Sequence, residues 1–151
     1  MKKIVSLILL LALLSAFITG CDSEIYHWEF EQPHTNVEKL QIVEVKTKFD
    51  YDVVKELDVK LAETLFDEIE SIDYNRYGWN LSSPSGKCFL ISFSNGEYDI
   101  ISKIASVRFR YDENGKLNSN TSWLECKNNQ FDELIEKYLQ EAGNDSSIPN
   151  S

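Results

Sequence analysis

Ile4 to Ile18 is uncharged throughout, with Ser6 and Ser15 its only hydroxyls. At 15 residues this run falls short of the ~20 that a membrane-spanning helix needs. Residues 22–36, DSEIYHWEFEQPHTN, are polar and lack a sustained period. Trp28 and Phe30 alternate there, so the stretch reads either as a short strand or as a tether. Val37 to Lys48 carries Leu40 and Ile42 on one parity and Val43 and Val45 on the other, the pattern of a strand covered on both faces or bulged near Ile42-Val43. Tyr51, Val53 and Leu57 predict a second strand, paired with the first through a turn at Phe49-Asp50.

The period then changes. Asp58 suits a helix N-cap, and Leu61, Leu65, Ile69 and Ile72 fall on one helical face, with Ala62 beside them and Glu63, Asp67, Glu68 and Glu70 elsewhere. Residues 73–86 are broken by Gly78, Pro84 and Gly86 and read as a loop. Cys88 to Phe93 and Glu97 to Ser102 predict two strands joined at Asn95-Gly96, where both residues tolerate the positive φ of a type I′ turn. Ser106 to Tyr111 alternates, with Val107, Phe109 and Tyr111 opposed to Arg108 and Arg110. A turn at Asp112 to Gly115 leads into a last strand, Lys116 to Glu125. Asn128 or Asn129 caps a final helix with Phe131, Leu134, Ile135, Tyr138 and Leu139 as its apolar stripe and Gly143 as its stop. The order is β-β-α-β-β-β-β-α. It predicts an α+β fold in which two amphipathic helices cover one face of an antiparallel sheet. The layout loosely resembles cystatin-like or TATA-binder-like half folds, a likeness of architecture that carries no function.

Charge narrows the partners. The chain of 151 residues has a formal charge of -10, and residues 21–151 alone carry 13 basic and 25 acidic side chains, or -12. Nucleic acid is excluded on that balance, since phosphate binding needs clustered Lys and Arg. With 42% hydrophobic residues, the chain has enough apolar surface for one folded domain.

The N-terminus has the most specific pattern. Lys2 and Lys3 precede the apolar run, and the run ends in Ile18-Thr19-Gly20-Cys21. This layout resembles the lipobox signal of bacterial lipoproteins. The resemblance implies cleavage between Gly20 and Cys21, a diacylglyceryl group on the Cys21 thiol, and attachment to the extracytoplasmic face of the cell membrane. Two or three acyl chains hold a protein firmly, because each buried methylene contributes ~0.8 kcal/mol. Asp22 resembles the signal for inner-membrane retention in two-membrane bacteria. The remainder, with its FSNGEY turn and CKNNQFDELIEKYL end, resembles small uncharacterised lipoproteins of low-GC Gram-positive bacteria, which bring no activity with them. The expected organisation is a signal peptide over 1–20, a lipidated N-terminus and tether over 21–36, one domain over 37–142 and a flexible tail over 143–151.

Candidate chemistry is sparse. Tyr74, Arg76, Tyr77 and Trp79 cluster in the 73–86 loop, and Tyr, Trp and Arg are the residues enriched at interface hot spots. They either form an exposed contact patch or fold onto the edge of the core. Cys88 and Cys126 either pair or remain buried thiols. In a flat four-strand meander they lie roughly 14 Å apart, beyond the ~7 Å that a disulfide spans. His27 and His34, near Glu29 and Glu31, lack a rigid metal-binding frame, and Asp112-Glu113-Asn114-Gly115 lacks the spacing of a calcium loop. No metal, cofactor or catalytic set is expected. The primary expectation is a non-enzymatic binding or accessory module at the membrane. The alternatives are an inhibitor or immunity-type protein for a basic envelope partner, a structural envelope component, or an envelope hydrolase using Asp99 with Glu97 or Asp112.

Overall fold

The computed structural model describes residues 24–47, 50–76 and 83–141. The fold is mixed α+β, with antiparallel strands and two helices. Strands β1 (Val37–Thr47) and β2 (Asp50–Leu57) are followed by helix α1 (Ala62–Glu70) and the two-residue strand β3 (Asn75–Arg76). Then come β4 (Gly86–Phe93), β5 (Tyr98–Ile101), β6 (Val107–Tyr111), β7 (Leu117–Thr121), the short β8 (Leu124–Glu125) and helix α2 (Gln130–Glu141). Six strands form one sheet in the order β2-β1-β4-β5-β6-β7, and β3 pairs with β8 in a second, smaller sheet. The expected order thus gains two short strands, β3 from the loop and β8 from the end of the last strand.

Both faces of the large sheet are apolar at its centre. Leu40, Ile42, Phe89, Ile91 and Ile101 share one cluster with the buried residues of both helices, among them Leu65, Ile69, Phe131, Leu134 and Ile135. Val43, Val45, Cys88, Leu90, Ile100, Val107 and Phe109 make a second cluster on the other face. Adjacent residues of β1 feed different clusters because successive side chains of a strand point to opposite sides. The double parity of this strand therefore reflects two covered faces, and a register shift between Ile42 and Val43 against β2 is present as well.

The helices follow from local chemistry. The Asp58 side chain accepts from the Lys60 backbone N–H at 2.9 Å, starting a 3-10 turn over Val59–Leu61 that runs into α1. Asn128 Oδ1 accepts from the Gln130 N–H at 3.0 Å at the start of α2. At the far end of α2, Lys55 Nζ donates to the carbonyls of Tyr138 and Leu139 at 2.6 and 2.7 Å. A cation on the last carbonyls of a helix is favourable because those oxygens carry its partial negative charge.

The hairpin at Asn95-Gly96 forms, but not with a type I′ turn. Among the described residues the only non-glycine with positive φ is Ala105, so Asn95 does not adopt the conformation that turn needs. Gly96 takes φ +83°, its N–H bonds the Phe93 carbonyl, and Phe93 N–H bonds the Glu97 carbonyl. This is a one-residue-longer loop with glycine alone in the left-handed region. The turn at Asp112–Gly115 repeats the pattern, with Gly115 N–H on the Asp112 carbonyl and Asp112 N–H on the Lys116 carbonyl.

The expected single strand over Lys116–Glu125 breaks at Ser122-Trp123. Ser122 N–H bonds the Ser106 carbonyl, whereas Leu124 accepts from Ala105 N–H. Between these two bonds the partner chain turns at Ala105, φ +59°, so the strand leaves the large sheet and joins β3.

Candidate functional site

Residues 24–36 form a strap laid across the helix-bearing side of the molecule, which corrects the expected tether over these residues, while 21–23 lie outside the described residues. Tyr26 exchanges two backbone hydrogen bonds with Tyr74, at 2.8 and 2.9 Å. Trp28 is only 4% exposed and belongs to the main core. Phe30 stacks on Phe66 of α1 with ring centroids 3.7 Å apart. The physical reason is plain: two large aromatics in a polar segment release more free energy under a helix than in water. The domain therefore starts at the strap rather than at Val37.

Beneath the strap lies a cluster of charges. In the β5–β6 pairing Asp99 stands opposite Arg108, on the same face as Arg110. Asp99 is fully buried, with Arg110 Nη1 at 2.9 Å and Arg108 Nε at 3.7 Å from its Oδ1. Arg110 Nε lies 3.3 Å from both Glu97 Oε2 and Glu31 Oε2. Arg108 binds the Glu31 carboxylate and the Glu29 carbonyl of the strap, and its guanidinium sits 4.6 Å above the Trp28 ring. Gln32 Nε2 donates to Glu97 Oε2 at 2.7 Å, and Glu97 Oε1 accepts from the Tyr111 N–H. Burial pushes the Asp99 carboxyl above its ordinary value, against the pull of Arg110 and Arg108. Two guanidinium groups thus hold three carboxylates, and one of those, Glu31, belongs to the strap.

Beside this cluster is a shallow cavity of about 260 Å3. It is lined by His27, Trp28, Glu29, Arg108, Asn120, Ser122 and Leu124. His27 Nδ1 lies 3.2 Å from the Ile72 carbonyl.

The residues singled out from sequence scatter. Gly20, Cys21, Tyr77 and Trp79 lie outside the described residues. Tyr74 is 1% exposed and packs in the main core, so it is no part of a contact patch, and burial raises the pKa of its phenol. Arg76 is exposed at the end of β3. Cys88 and Cys126 are both buried free thiols. They cannot pair, since Cys88 belongs to the cluster on one face of the sheet and Cys126 to the cluster on the other. Glu97 and Asp99 do meet, but on one guanidinium under the strap. Asp112 is committed elsewhere, accepting from Asn114 N–H, Lys116 N–H and Asn118 Nδ2, each at 2.9 Å. Those bonds hold its carboxyl below the ordinary range. The strap contacts of Trp28, Glu31, Arg108 and Arg110 were not singled out as a site from sequence. Their only sequence signals are the alternation Trp28–Phe30 and the two arginines on one side of a strand.

Comparison with protein-family models, with curated protein sequences and with solved structures finds no match. Among the described residues no helix is long and apolar enough to cross a membrane.

Proposed function

We propose that this chain is a lipoprotein held at the extracytoplasmic face of a bacterial cell membrane through Cys21, and that its domain is a non-enzymatic binding or accessory module. One observation carries the proposal: a cysteine at the position the lipobox requires, after two lysines and a short apolar run. In this reading both helices lie on one face of the sheet, in the β-β-α-β-β-β-β-α order supplemented by the two short strands. The fold then serves as a rigid body that presents surface rather than a reaction cleft.

Metabolic labelling with a clickable fatty acid, followed by mass analysis of the purified protein, tests the anchor. The expected product begins at Cys21 and carries lipid, and Cys21→Ala abolishes the label. Unlabelled wild-type protein that still begins at Met1 overturns the proposal.

The charge favours a basic partner. At -12 over residues 21–151, the domain attracts a cationic surface during encounter. An inhibitor or immunity-type role fits the same electrostatics. Capture of a basic envelope protein should weaken steeply between low and physiological salt, as screening shortens the reach of the field to ~8 Å. Capture that is indifferent to salt removes the electrostatic argument.

A further inference from the structure

Four residues, and so five Cα-to-Cα steps, separate Cys21 from Tyr26, the first strap residue locked by backbone hydrogen bonds. Fully extended, five such steps reach at most ~18 Å. A domain of this size is roughly 35 Å across. A lipid on Cys21 therefore cannot reach past the side of the body where the strap begins, and that side must meet the bilayer.

That side is the small sheet. Tyr26 bridges Tyr74, Asn75 pairs with Glu125, Arg76 pairs with Leu124, and Glu125 bridges Ile104. Tyr74 and Leu124 point into the core cluster, so their chain neighbours turn outward by strand alternation. Two of the large hydrophobics that remain exposed in this protein sit here, Ile25 at 56% and Trp123 at 40%. Arg76, opposite Leu124 and two residues on from Tyr74, belongs to the other side of this small sheet, where it is exposed at the end of β3. A Trp with an aliphatic residue on the same outward face suits the level of the lipid headgroups, where the ring is amphipathic. Glu24 and Glu125 also lie on this side, so the patch suits a zwitterionic surface better than an anionic one.

We infer that the outward face of the small sheet, with Ile25 and Trp123, rests on the lipid headgroups and sets the orientation of the domain on the membrane. The inference rests on the lipid-anchor reading.

The test uses full-length protein purified from membranes and reconstituted into phosphatidylcholine vesicles. Spin labels are placed by Trp123→Cys or, in a separate protein, Ile25→Cys. The control label, Glu113→Cys, lies in the turn at the far end of β6. Thermal melts confirm that each labelled protein is folded. Vesicle flotation reports the anchor, and accessibility to lipid-dissolved oxygen or to an aqueous nickel complex reports contact. The expected result is flotation of all three proteins, with labels at 25 and 123 gaining oxygen access and losing nickel access while the label at 113 stays in water. Flotation with all three labels equally open to nickel overturns the orientation and leaves the anchor standing. Failure to float overturns the anchor and the orientation together. If one of the two contact-site proteins does not fold, the other decides.

Discussion

Cys88 lies on β4 with its Sγ 3.4 Å from the Gly86 carbonyl, and burial pushes its thiol up to about 12. Only the thiolate attacks alkylating reagents, so Cys88 should resist modification at pH 8 in the folded protein and react once it is unfolded. Peptide mapping after iodoacetamide treatment, with and without denaturant, checks this. Asp112 shows the opposite displacement. Three hydrogen bonds to its carboxylate favour the charged form. A carboxylate with a depressed folded pKa stabilises the fold above its unfolded value near 4 and loses that contribution as the pH falls through the folded one. The gap in Tm between wild type and Asp112→Asn should therefore be open at pH 6 and shrink below pH ~4. A constant gap across that range would show that the charge is not involved. Glycine acts at the same scale. Gly96 holds φ +83°, and an added Cβ would meet the Tyr111 ring at 3.4 Å. Gly96→Ala should cost about 1 kcal/mol in denaturant unfolding, because an L side chain disfavours that backbone region.

At the scale of elements, the strap decides where the domain begins. Trp28 joins the core of α1, α2 and the sheet, so Trp28→Ala leaves a cavity and should cost about 3–5 kcal/mol, measured by equilibrium denaturation. A cost below ~1 kcal/mol would restore the picture of a loose tether. Much of the element pattern was legible beforehand. The 3.6-residue stripes of Leu65–Ile69 and Phe131–Leu134–Ile135 became the buried faces of α1 and α2, and in β6 Val107 and Phe109 are buried on one face as expected, although Tyr111 is exposed. Periodicity succeeds for the helices because one face of each is covered and the other is wet, whereas the arginine face of β6 is covered by the strap. The strap escaped that logic. It has no repeating period, and its burial depends on a surface built by residues far away in the chain, with Phe66 against Phe30 and Arg108 over Trp28.

The whole molecule is tied together through charges that no local window connects. Glu31 of the strap, Glu97 and Asp99 converge on Arg108 and Arg110 across separations of up to 79 residues. Removing one member of such a buried set leaves the others uncompensated. Asp99→Ala should lower stability by about 3 kcal/mol or more and speed amide exchange in residues 29–32 relative to the rest of the chain. Uniform loss without local opening of the strap would mean that the cluster supports the sheet alone.

Taken by itself, the order of residues determined what depends on neighbours along the chain: two helices, the β1–β2 pair, and the β4–β7 meander with its turns at Asn95-Gly96 and Asp112–Gly115, whereas Phe49 of the expected β1–β2 turn lies outside the described residues. Each is set by side-chain periodicity or by a glycine at a turn. Tertiary structure alone decided that the strap is folded, that Tyr74 is buried, that β8 leaves the sheet, and that Cys88 and Cys126 stand on opposite faces. Those outcomes depend on which distant surfaces meet, and packing free energy, not local preference, selects among them.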